Sequence, residues 1–253
     1  VSKGIIVGNI RQSPSTSSHI FGREKWGAKA TIIGEVTGTK VGNSNKWYKI
    51  RYKTWRNAKR EDVRQYLDPN ANDRYQHLVL NMTTGVEASQ LNRLLSGKGI
   101  LQGMGQVFIE AGRKHSVNEI YLISHALLES GNGTSRLANG IKVNGKTVYN
   151  MFGFGAYDSC PETCGANFAY EQEWFTPEEA IIGGAAFISN SYLSRGQNTL
   201  YKMKWNHAYP DSRGAYPQYA TDVAWAVKQV PRIKELYKQL DNPTIYFDIP
   251  RFK

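Results

Sequence analysis

A stretch of apolar residues at helical spacing, between Ser116 and Gly133, constrains the fold of this chain more than any other feature. Ser116 and Glu119 have the Ser-x-x-Glu spacing of a capping box, which predicts the start of a helix. The apolar residues that follow at helical intervals are Ile120, Ile123, Leu127 and Leu128. Gly131 and Gly133 end the pattern, so the sequence predicts a buried helix whose last turn contains Glu129.

Glu129 is the candidate catalytic residue of this predicted helix. The unpaired carbonyls at a helix C-terminus carry partial negative charge, which disfavours the ionisation of a nearby carboxylate. Leu127 and Leu128 are expected to act in the same direction by excluding water. A glutamic acid that stays protonated near neutral pH is what general-acid cleavage of a glycosidic bond requires. The alternative is an ordinary solvated glutamate at the end of a helix.

Neither the histidine nor the cysteines near this region indicate a metal site. His125 lies four residues before Glu129, but the His-Glu-x-x-His pattern of zinc proteases is absent, so we interpret it as a core histidine or one that supports Glu129. Cys160 and Cys164 have no further metal ligands nearby. Their spacing leaves open whether they form a local disulfide or remain free thiols. No metal site is therefore expected, and no cofactor is implied, because acid-assisted hydrolysis of a glycoside needs none.

The sequence from residue 127 to 135, Leu-Leu-Glu-Ser-Gly-Asn-Gly-Thr-Ser, resembles the catalytic-helix motif of the bacterial glucosaminidase domain, glycoside hydrolase family 73, found in cell-wall autolysins. Further matching segments follow in the family's order, at 149–153, 155–158, 174–177, 199–203 and 218–221. Together they cover roughly residues 66–237. The resemblance implies an α+β fold: a lysozyme-like, mostly helical catalytic domain with a small β-lobe.

A glycine-rich polar segment at 153–165 contains the candidates for a second carboxylate. It follows a predicted hairpin that turns at Asn144 and Gly145. Loops of this composition often carry function. The resemblance implies that an acidic residue of this mobile lobe is the partner of Glu129, and the distance in sequence favours Glu162 over Asp158. An Asp that caps a turn is the alternative for Asp158.

Several aromatic residues are candidate contacts to sugar. Tyr219 lies in the segment that matches the family's tyrosine motif, where a phenol could bond to the substrate's acetamido group or orient the attacking species. A buried tyrosine that packs under the Glu129 helix is the alternative. Sugars present apolar C–H faces that stack on aromatic rings, so Trp174, Trp205 and Tyr157 are candidate sugar platforms. Most aromatic residues of a globular domain belong to its core, so we expect about one of the three to touch sugar.

Residues 1–55 differ in composition from the rest of the chain. They contain ten Lys and Arg against two Asp and Glu, a net charge of +8. The whole chain has a net charge of +11, so most of the positive charge lies in this segment. Segments 30–36 and 46–52 are rich in β-branched and aromatic residues, which predicts a small β-barrel or sheet. Segment 11–16 and the later Trp-Tyr-Lys-Ile strand resemble the bacterial SH3-like modules of wall hydrolases.

This resemblance divides the chain into a wall-binding module at 1–55 and a catalytic domain at 56–253. The positive charge of the module is suited to anionic wall polymers such as teichoic acid, or to peptide carboxylates. The alternative is a basic solvated surface that only packs on the enzyme. The charge is not accompanied by a recognition-helix, zinc or RNA-binding motif, so nucleic acid is not a predicted partner.

Two further helices are predicted after the β-lobe. Thr176, Pro177 and Glu179 have the arrangement of a cap, a first-turn proline and a capping-box glutamate. The last helix is expected to begin near Tyr219 and to be kinked at Pro231.

The expected function is that of an exported hydrolase that acts on peptidoglycan in the cell wall. No run approaches the roughly 18 apolar residues of a membrane span, and the start lacks both Met and a signal-peptide core, which is typical of a piece of a longer exported protein. The resemblance implies an endo-β-N-acetylglucosaminidase that cuts between N-acetylglucosamine and N-acetylmuramic acid. The alternatives are a muramidase, which cuts the other β-1,4 bond, and a non-catalytic wall-binding module.

Overall fold

The computed structural model divides the chain into two compact units, Val1–Ala58 and Lys59–Lys253. It describes residues 7–25, 27–52, 57–157, 159–206, 210–211, 214–215 and 218–252.

The first unit contains two antiparallel hairpins in its described residues. β1 (Val7–Arg11) pairs with β2 (Ile20–Lys25), and β3 (Thr31–Val41) pairs with β4 (Ser44–Arg51). β3 and β4 correspond to the two predicted strand segments, whose β-branched and aromatic residues favour extended backbone. In the described part of this unit both sheets have two strands, so the closed SH3-like barrel stays a prediction.

The second unit mixes helices with small sheets, as the predicted α+β class requires. Its helices are α1 (Arg60–Leu67), α2 (Ala88–Leu94), α3 (Gly105–His115), α4 (Glu119–Glu129), α5 (Arg136–Asn139), α6 (Pro161–Glu171), α7 (Pro177–Ser191), α8 (Leu200–Lys204) and α9 (Trp225–Tyr237). Short 3-10 helices lie at Arg74–His77, Gly99–Leu101 and Leu193–Arg195. β5 (Ile141–Val143) pairs with β6 (Lys146–Val148), and β7 (Pro210–Asp211) with β8 (Gly214–Ala215).

Helix α4 runs through the core of this unit. Each of its residues from 119 to 127 is buried, and the helix packs against α3 and α9. The core around it is built from apolar side chains of several other helices, including Phe108, Ile181 and Val230. A helix that is apolar on all sides is stable only when neighbouring elements cover it completely. The central position of α4 therefore fixes the place of its C-terminal residue, Glu129.

The predicted start of α4 is wrong by two residues. The helix begins at Glu119, and its N-cap is Asn118, whose side chain accepts hydrogen bonds from the backbone N–H groups of Ile120 and Tyr121. Ser116 instead ends α3 with a left-handed backbone conformation (φ 51°). The tight turn between two packed helices requires this conformation, so Ser116 is not free to cap α4.

The predicted start of the last helix is also wrong. Helix α9 begins at Trp225 rather than near Tyr219. The carbonyls of Ala220 and Thr221 accept hydrogen bonds from the Lys204 ammonium, so they do not form the first turn of a helix. Pro231 lies inside α9, and the kink at this residue stays a prediction.

Several local predictions are confirmed. Asn144 and Gly145 both have positive φ at the tip of the β5–β6 hairpin, as an Asn-Gly turn requires. Thr176 caps α7 and forms a capping box with Glu179. For Cys160 and Cys164 the sequence left a disulfide and free thiols open, and the structure has a disulfide between them across the first turn of α6.

Candidate active site

Glu129 is the last residue of α4, as the sequence predicted. The chain then turns sharply at Gly131 (φ 57°), and the N–H of Asn132 returns to the carbonyl of Leu127 at 2.8 Å. The Glu129 side chain is 41% exposed, and burial of the rest raises the pKa of its carboxyl. The negative end of the helix dipole acts in the same direction. Both effects favour the protonated acid.

The side chains that surround Glu129 differ in part from those expected. Leu127 is buried as expected, but Leu128 is 45% exposed. A depression beside Glu129 is lined by Tyr121, Ser124, His125, Leu128, Tyr219, Trp225, Gln229 and Ile233. Residues from α4, α9 and the segment before α9 therefore contribute to the desolvation of the carboxyl, in addition to its leucine neighbours.

The loop after the β5–β6 hairpin passes directly over Glu129. Gly153 has φ +67°, and a Cβ atom built on it would lie 3.3 Å from Glu129 Oε2. The Asn150 side chain holds this loop because its Nδ2 donates to the Phe154 carbonyl at 2.8 Å and to the Gly165 carbonyl at 3.1 Å. Position 153 therefore requires glycine both for its backbone conformation and for its closeness to the acid.

His125 lies one helical turn before Glu129 and contacts both candidate catalytic groups of the depression. Its Nε2 is 3.9 Å from Glu129 Oε1 and 3.5 Å from the Tyr219 hydroxyl. Burial lowers the pKa of His125 to about 4, so the imidazole is neutral at neutral pH. A neutral ring does not attract a proton away from Glu129, whereas an imidazolium would favour the carboxylate.

Tyr219 shares the depression with Glu129, although the two residues are far apart in sequence. Its ring stacks on Trp225 at 4.4 Å between centroids and contacts Tyr192 at 5.2 Å. Burial, together with the charges of Glu129 and Tyr192, raises the pKa of the Tyr219 phenol. The phenol therefore keeps its proton and can donate a hydrogen bond.

Glu162 lies on the small lobe formed by α5, β5, β6 and α6. It occupies the first turn of α6, and its carboxylate pairs with Arg136 Nη1 at 2.7 Å. The side chain is half exposed. Within the described part of the chain, Glu162 is not among the residues that line the depression beside Glu129. Asp158, the other candidate, lies outside the described residues.

The three aromatic sugar platforms suggested by the sequence differ in exposure. Trp174 and Trp205 are 4% and 8% exposed, so their rings are engaged in packing. Trp174 contacts Phe154 and Phe168, which belong to the core that supports the loop over Glu129. Tyr157 is 68% exposed and is the one of the three with an open ring face.

Two residues of this region were not found from the sequence. Trp225 stacks on Tyr219, and Lys204 donates a hydrogen bond to the segment that contains Tyr219. Sequence periodicity assigns Trp225 to the last helix and Lys204 to the surface, as most lysines are. Only the fold shows that both support the tyrosine.

In the described residues we find no group of three or more His, Cys, Asp or Glu side chains arranged to hold a metal ion. The same part of the chain contains no helix of the length and apolar character needed to cross a membrane.

A partly desolvated glutamic acid at the end of a buried helix, beside a protonated phenol and under a glycine loop, defines a candidate active site for acid-assisted hydrolysis. Residues 105–238 match the glucosaminidase family, described as mannosyl-glycoprotein endo-beta-N-acetylglucosaminidase. The match covers more than half of the chain, and the chain belongs to this family.

Individual relatives agree with this assignment. The chain is 50% identical over 255 residues to a beta-N-acetylglucosaminidase of Bacillus subtilis (strain 168), in an alignment that covers 97% of this chain and 27% of the relative. It is 44% identical over 212 residues to a bifunctional autolysin of Staphylococcus aureus (strain NCTC 8325 / PS 47), covering 79% of this chain and 17% of that protein. The chain therefore spans only about a quarter or less of the length of these relatives.

Solved structures show the same fold. A crystal structure of the major bifunctional autolysin superposes with a TM-score of 0.66 at 43% identity, covering 79% of this chain and 85% of that one. A catalytic mutant of S. aureus autolysin E in complex with the disaccharide NAG-NAM superposes with a TM-score of 0.64 at 35% identity, covering 83% and 87%.

Proposed function

We propose that this chain is an autolysin domain with endo-β-N-acetylglucosaminidase activity, which hydrolyses the β-1,4 bond between N-acetylglucosamine and N-acetylmuramic acid in peptidoglycan. The observation that carries the proposal is the position of Glu129, a partly buried acid beside Tyr219 at the end of α4. The names of the relatives support the reaction, and the NAG-NAM and muropeptide complexes of autolysin E support the substrate. We assign the domain to glycoside hydrolase family 73.

In the proposed reaction, Glu129 protonates the bridging oxygen while positive charge develops on the sugar ring. Its raised pKa keeps the proton available at a pH where an exposed glutamate has lost it. The neutral His125 supports this state because it adds no positive charge beside the acid. Tyr157 offers an exposed ring on which a sugar could stack.

The positive charge that develops on the sugar ring can be stabilised in two ways. A second carboxylate, Glu162 or Asp158, could activate water from roughly 6.5 to 9.5 Å, or form a covalent intermediate from roughly 5 Å. Alternatively, the substrate's own 2-acetamido group attacks, and Tyr219 positions it by a hydrogen bond. The shared depression of Glu129 and Tyr219 supports the second route. The first route is supported by the resemblance, which implies an acidic partner on the lobe that carries Glu162.

Replacement of Glu162 tests whether this residue is the second carboxylate. If Glu162 acts as the second carboxylate, Glu162→Gln should lower kcat by about 100-fold or more. Glu171→Gln is the matched control, because Glu171 is an exposed glutamate in the last turn of the same helix. Nearly full activity in Glu162→Gln would remove this residue from the mechanism and leave Asp158 or the acetamido group with Tyr219.

We also propose that residues 1–55 form an SH3-like module that binds the wall outside the cell, and that the protein is secreted. Support comes from the net charge of +8 in this segment and from apolar side chains exposed on the β3–β4 hairpin, among them Ile32 and Tyr48. Anionic wall polymers are the proposed partners. Sedimentation with purified walls, before and after removal of teichoic acid, tests this: we expect weaker binding after removal and at high salt, and binding that is independent of both would overturn anionic polymers as the partners.

Product analysis tests the catalytic proposal. Purified peptidoglycan is digested, the new ends are reduced with borohydride, and mass spectrometry identifies the sugar that became an alditol. We expect reduced N-acetylglucosamine. Reduced N-acetylmuramic acid would make the chain a muramidase, and the absence of new reducing ends with folded protein would leave a binding module.

A further inference from the structure

Lys204 is a charged residue in an unusual position. It is the last residue of α8 and is only 2% exposed. Its Nζ lies 3.0 Å from Gln218 Oε1, 2.6 Å from the Ala220 carbonyl and 3.3 Å from the Thr221 carbonyl. An ammonium has three donors. All three are therefore directed at one segment of four residues.

That segment, 218–221, carries Tyr219, and the end of α8 holds it on both sides of the tyrosine. The Tyr219 N–H donates to the Met203 carbonyl at 2.9 Å. Lys204 also contacts Gln218, which precedes the tyrosine, and Ala220 and Thr221, which follow it. Since this segment is not helical, its carbonyls need partners from elsewhere. Lys204 supplies them.

We propose that Lys204 is a positioning residue, whose buried ammonium fixes segment 218–221 and thereby holds the Tyr219 phenol beside Glu129 and His125. The inference rests on the proposed glucosaminidase function, in which Tyr219 acts on the substrate. Lys204 itself does not line the depression next to Glu129 in the described structure. In this proposal it acts through the tyrosine.

The charge of Lys204 is what makes this contact rigid. Burial lowers the pKa of Lys204, while the nearby Asp222 carboxylate raises it and favours the ammonium. Charge-assisted hydrogen bonds are roughly twice as strong as neutral ones. If the segment moved away, the buried ammonium would lose its acceptors, and an unpaired buried charge is strongly unfavourable. The segment and Lys204 therefore stay together.

The consequence for catalysis is a requirement for precise placement. The Tyr219 hydroxyl is 3.5 Å from His125 Nε2, and its ring is stacked on Trp225. A displacement of about 1 Å at a catalytic group can lower the rate by about 100-fold. Loosening segment 218–221 should therefore slow the chemical step more than it weakens substrate binding.

A double-mutant cycle tests the proposal. Lys204→Met keeps the length and shape of the side chain but removes the charge and the donors. We expect it to lower kcat by about 10- to 100-fold with a change in KM below about 3-fold. If Lys204 acts through Tyr219, the variant carrying both Lys204→Met and Tyr219→Phe should be no slower than Tyr219→Phe alone. Multiplied losses in the double variant, or full activity in Lys204→Met, would overturn the proposal.

Lys202→Met is the matched control. Lys202 lies on the same helix, but its ammonium pairs with Asp248 and bonds to Asn198, away from segment 218–221. We expect Lys202→Met to lower stability without lowering kcat. Should Lys204→Met fail to fold, Gln218→Ala removes one of the three acceptors and should lower kcat in the same direction, again without a further loss in Tyr219→Phe.

Hydrogen exchange gives a readout that does not depend on activity. The Tyr219 amide should exchange faster in Lys204→Met than in wild type, and should be unchanged in Lys202→Met. Unchanged exchange in Lys204→Met would overturn the role of Lys204 even in an active enzyme. An inactive wild-type protein would overturn the proposed function and the catalytic purpose of the contact, while faster exchange would still show that the contact holds the segment.

Discussion

Helix α4 has a glutamate at each end, and the two carboxyl groups have opposite surroundings. Glu119, at the N-terminus, is 2% exposed, and its carboxylate accepts hydrogen bonds from the backbone N–H and the hydroxyl of Thr84. Glu129, at the C-terminus, is 41% exposed. Within the described part of the chain its carboxylate accepts no hydrogen bond, and the neutral imidazole of His125 lies 3.9 Å away.

The comparison shows that burial alone does not make a carboxyl group reactive. Glu119 is the more buried of the two, but its hydrogen bonds and the positive end of the helix dipole compensate for the lost water. Glu129 is partly desolvated at the negative end of the same helix, and no hydrogen bond among the described residues compensates for the lost water. The first arrangement stabilises the fold, and the second keeps a proton available.

The largest expected effect comes from Glu129→Gln. This variant keeps the shape of the side chain but cannot donate the proton, so kcat should fall by about 1000-fold. The free energy of unfolding should stay within about 0.5 kcal/mol of wild type, because glutamine keeps the shape and the uncharged state of the protonated acid. Reducing-end assays and urea unfolding measure the two quantities. Wild-type activity in this variant would end the assignment of Glu129 as the acid.

Glu119→Ala should have the opposite profile. It leaves the buried Thr84 N–H and hydroxyl without their acceptor, at about 1–3 kcal/mol for each group, so we expect a total loss of stability near 3 kcal/mol. The residual folded protein should keep its kcat below the unfolding transition. Glu110→Ala, at an exposed glutamate of α3, is the control and should change stability little. A loss of kcat in folded Glu119→Ala would mean that this end of α4 also shapes the site.

His125 provides a pH-dependent test at the C-terminal end of α4. Its pKa falls from 6.5 to about 4 on folding, so the unfolded chain binds more protons between these values. The stability from the neutral buried ring is fully present above pH 6.5 and is lost as the pH falls toward 4, by about 3 kcal/mol.

His125→Phe should reduce this slope, as seen by urea unfolding at several pH values. His77, whose pKa is also lowered by burial, should preserve part of it. An unchanged slope in His125→Phe would show that His125 is protonated as easily in the folded state as in the unfolded chain.

The smallest effect is expected at Gly153. Gly153→Ala introduces a side chain at φ +67° and places its Cβ 3.3 Å from Glu129 Oε2, so it should lower stability by about 1 kcal/mol and kcat by about 10-fold. Gly145→Ala is the control, because Gly145 also has positive φ but has open space around its Cβ position. Equal losses of kcat in both variants would show that backbone strain, rather than contact with the acid, is responsible.

The C-terminal end of α4 could be predicted from the sequence, whereas the N-terminal end could not. Apolar periodicity and the glycines at 131 and 133 give the position of Glu129 directly. The start of α4 depends on a turn against α3 and on Asn118, which also bonds to Tyr237 from the distant end of α9. Contacts between segments that are far apart in the chain produce no local sequence pattern from which the start of the helix could be predicted.

The remaining site residues show the same limit. Tyr219 was found by resemblance, but the start of the last helix was predicted wrongly, because Lys204, sixteen and seventeen residues before them, bonds to the carbonyls of Ala220 and Thr221. The local sequence also does not reveal that Trp174 and Trp205 are buried while Tyr157 is exposed. Exposure depends on what packs above a ring, and this is set by the tertiary fold.

The disulfide between Cys160 and Cys164 has a practical consequence for anyone who prepares this protein. It closes the first turn of α6, where Glu162 is located. Protein purified from a reducing cytoplasm and protein purified from an oxidising compartment would therefore be chemically different samples with one amino-acid sequence. Rates measured for variants of this lobe are comparable only between batches in which the thiol content has been determined.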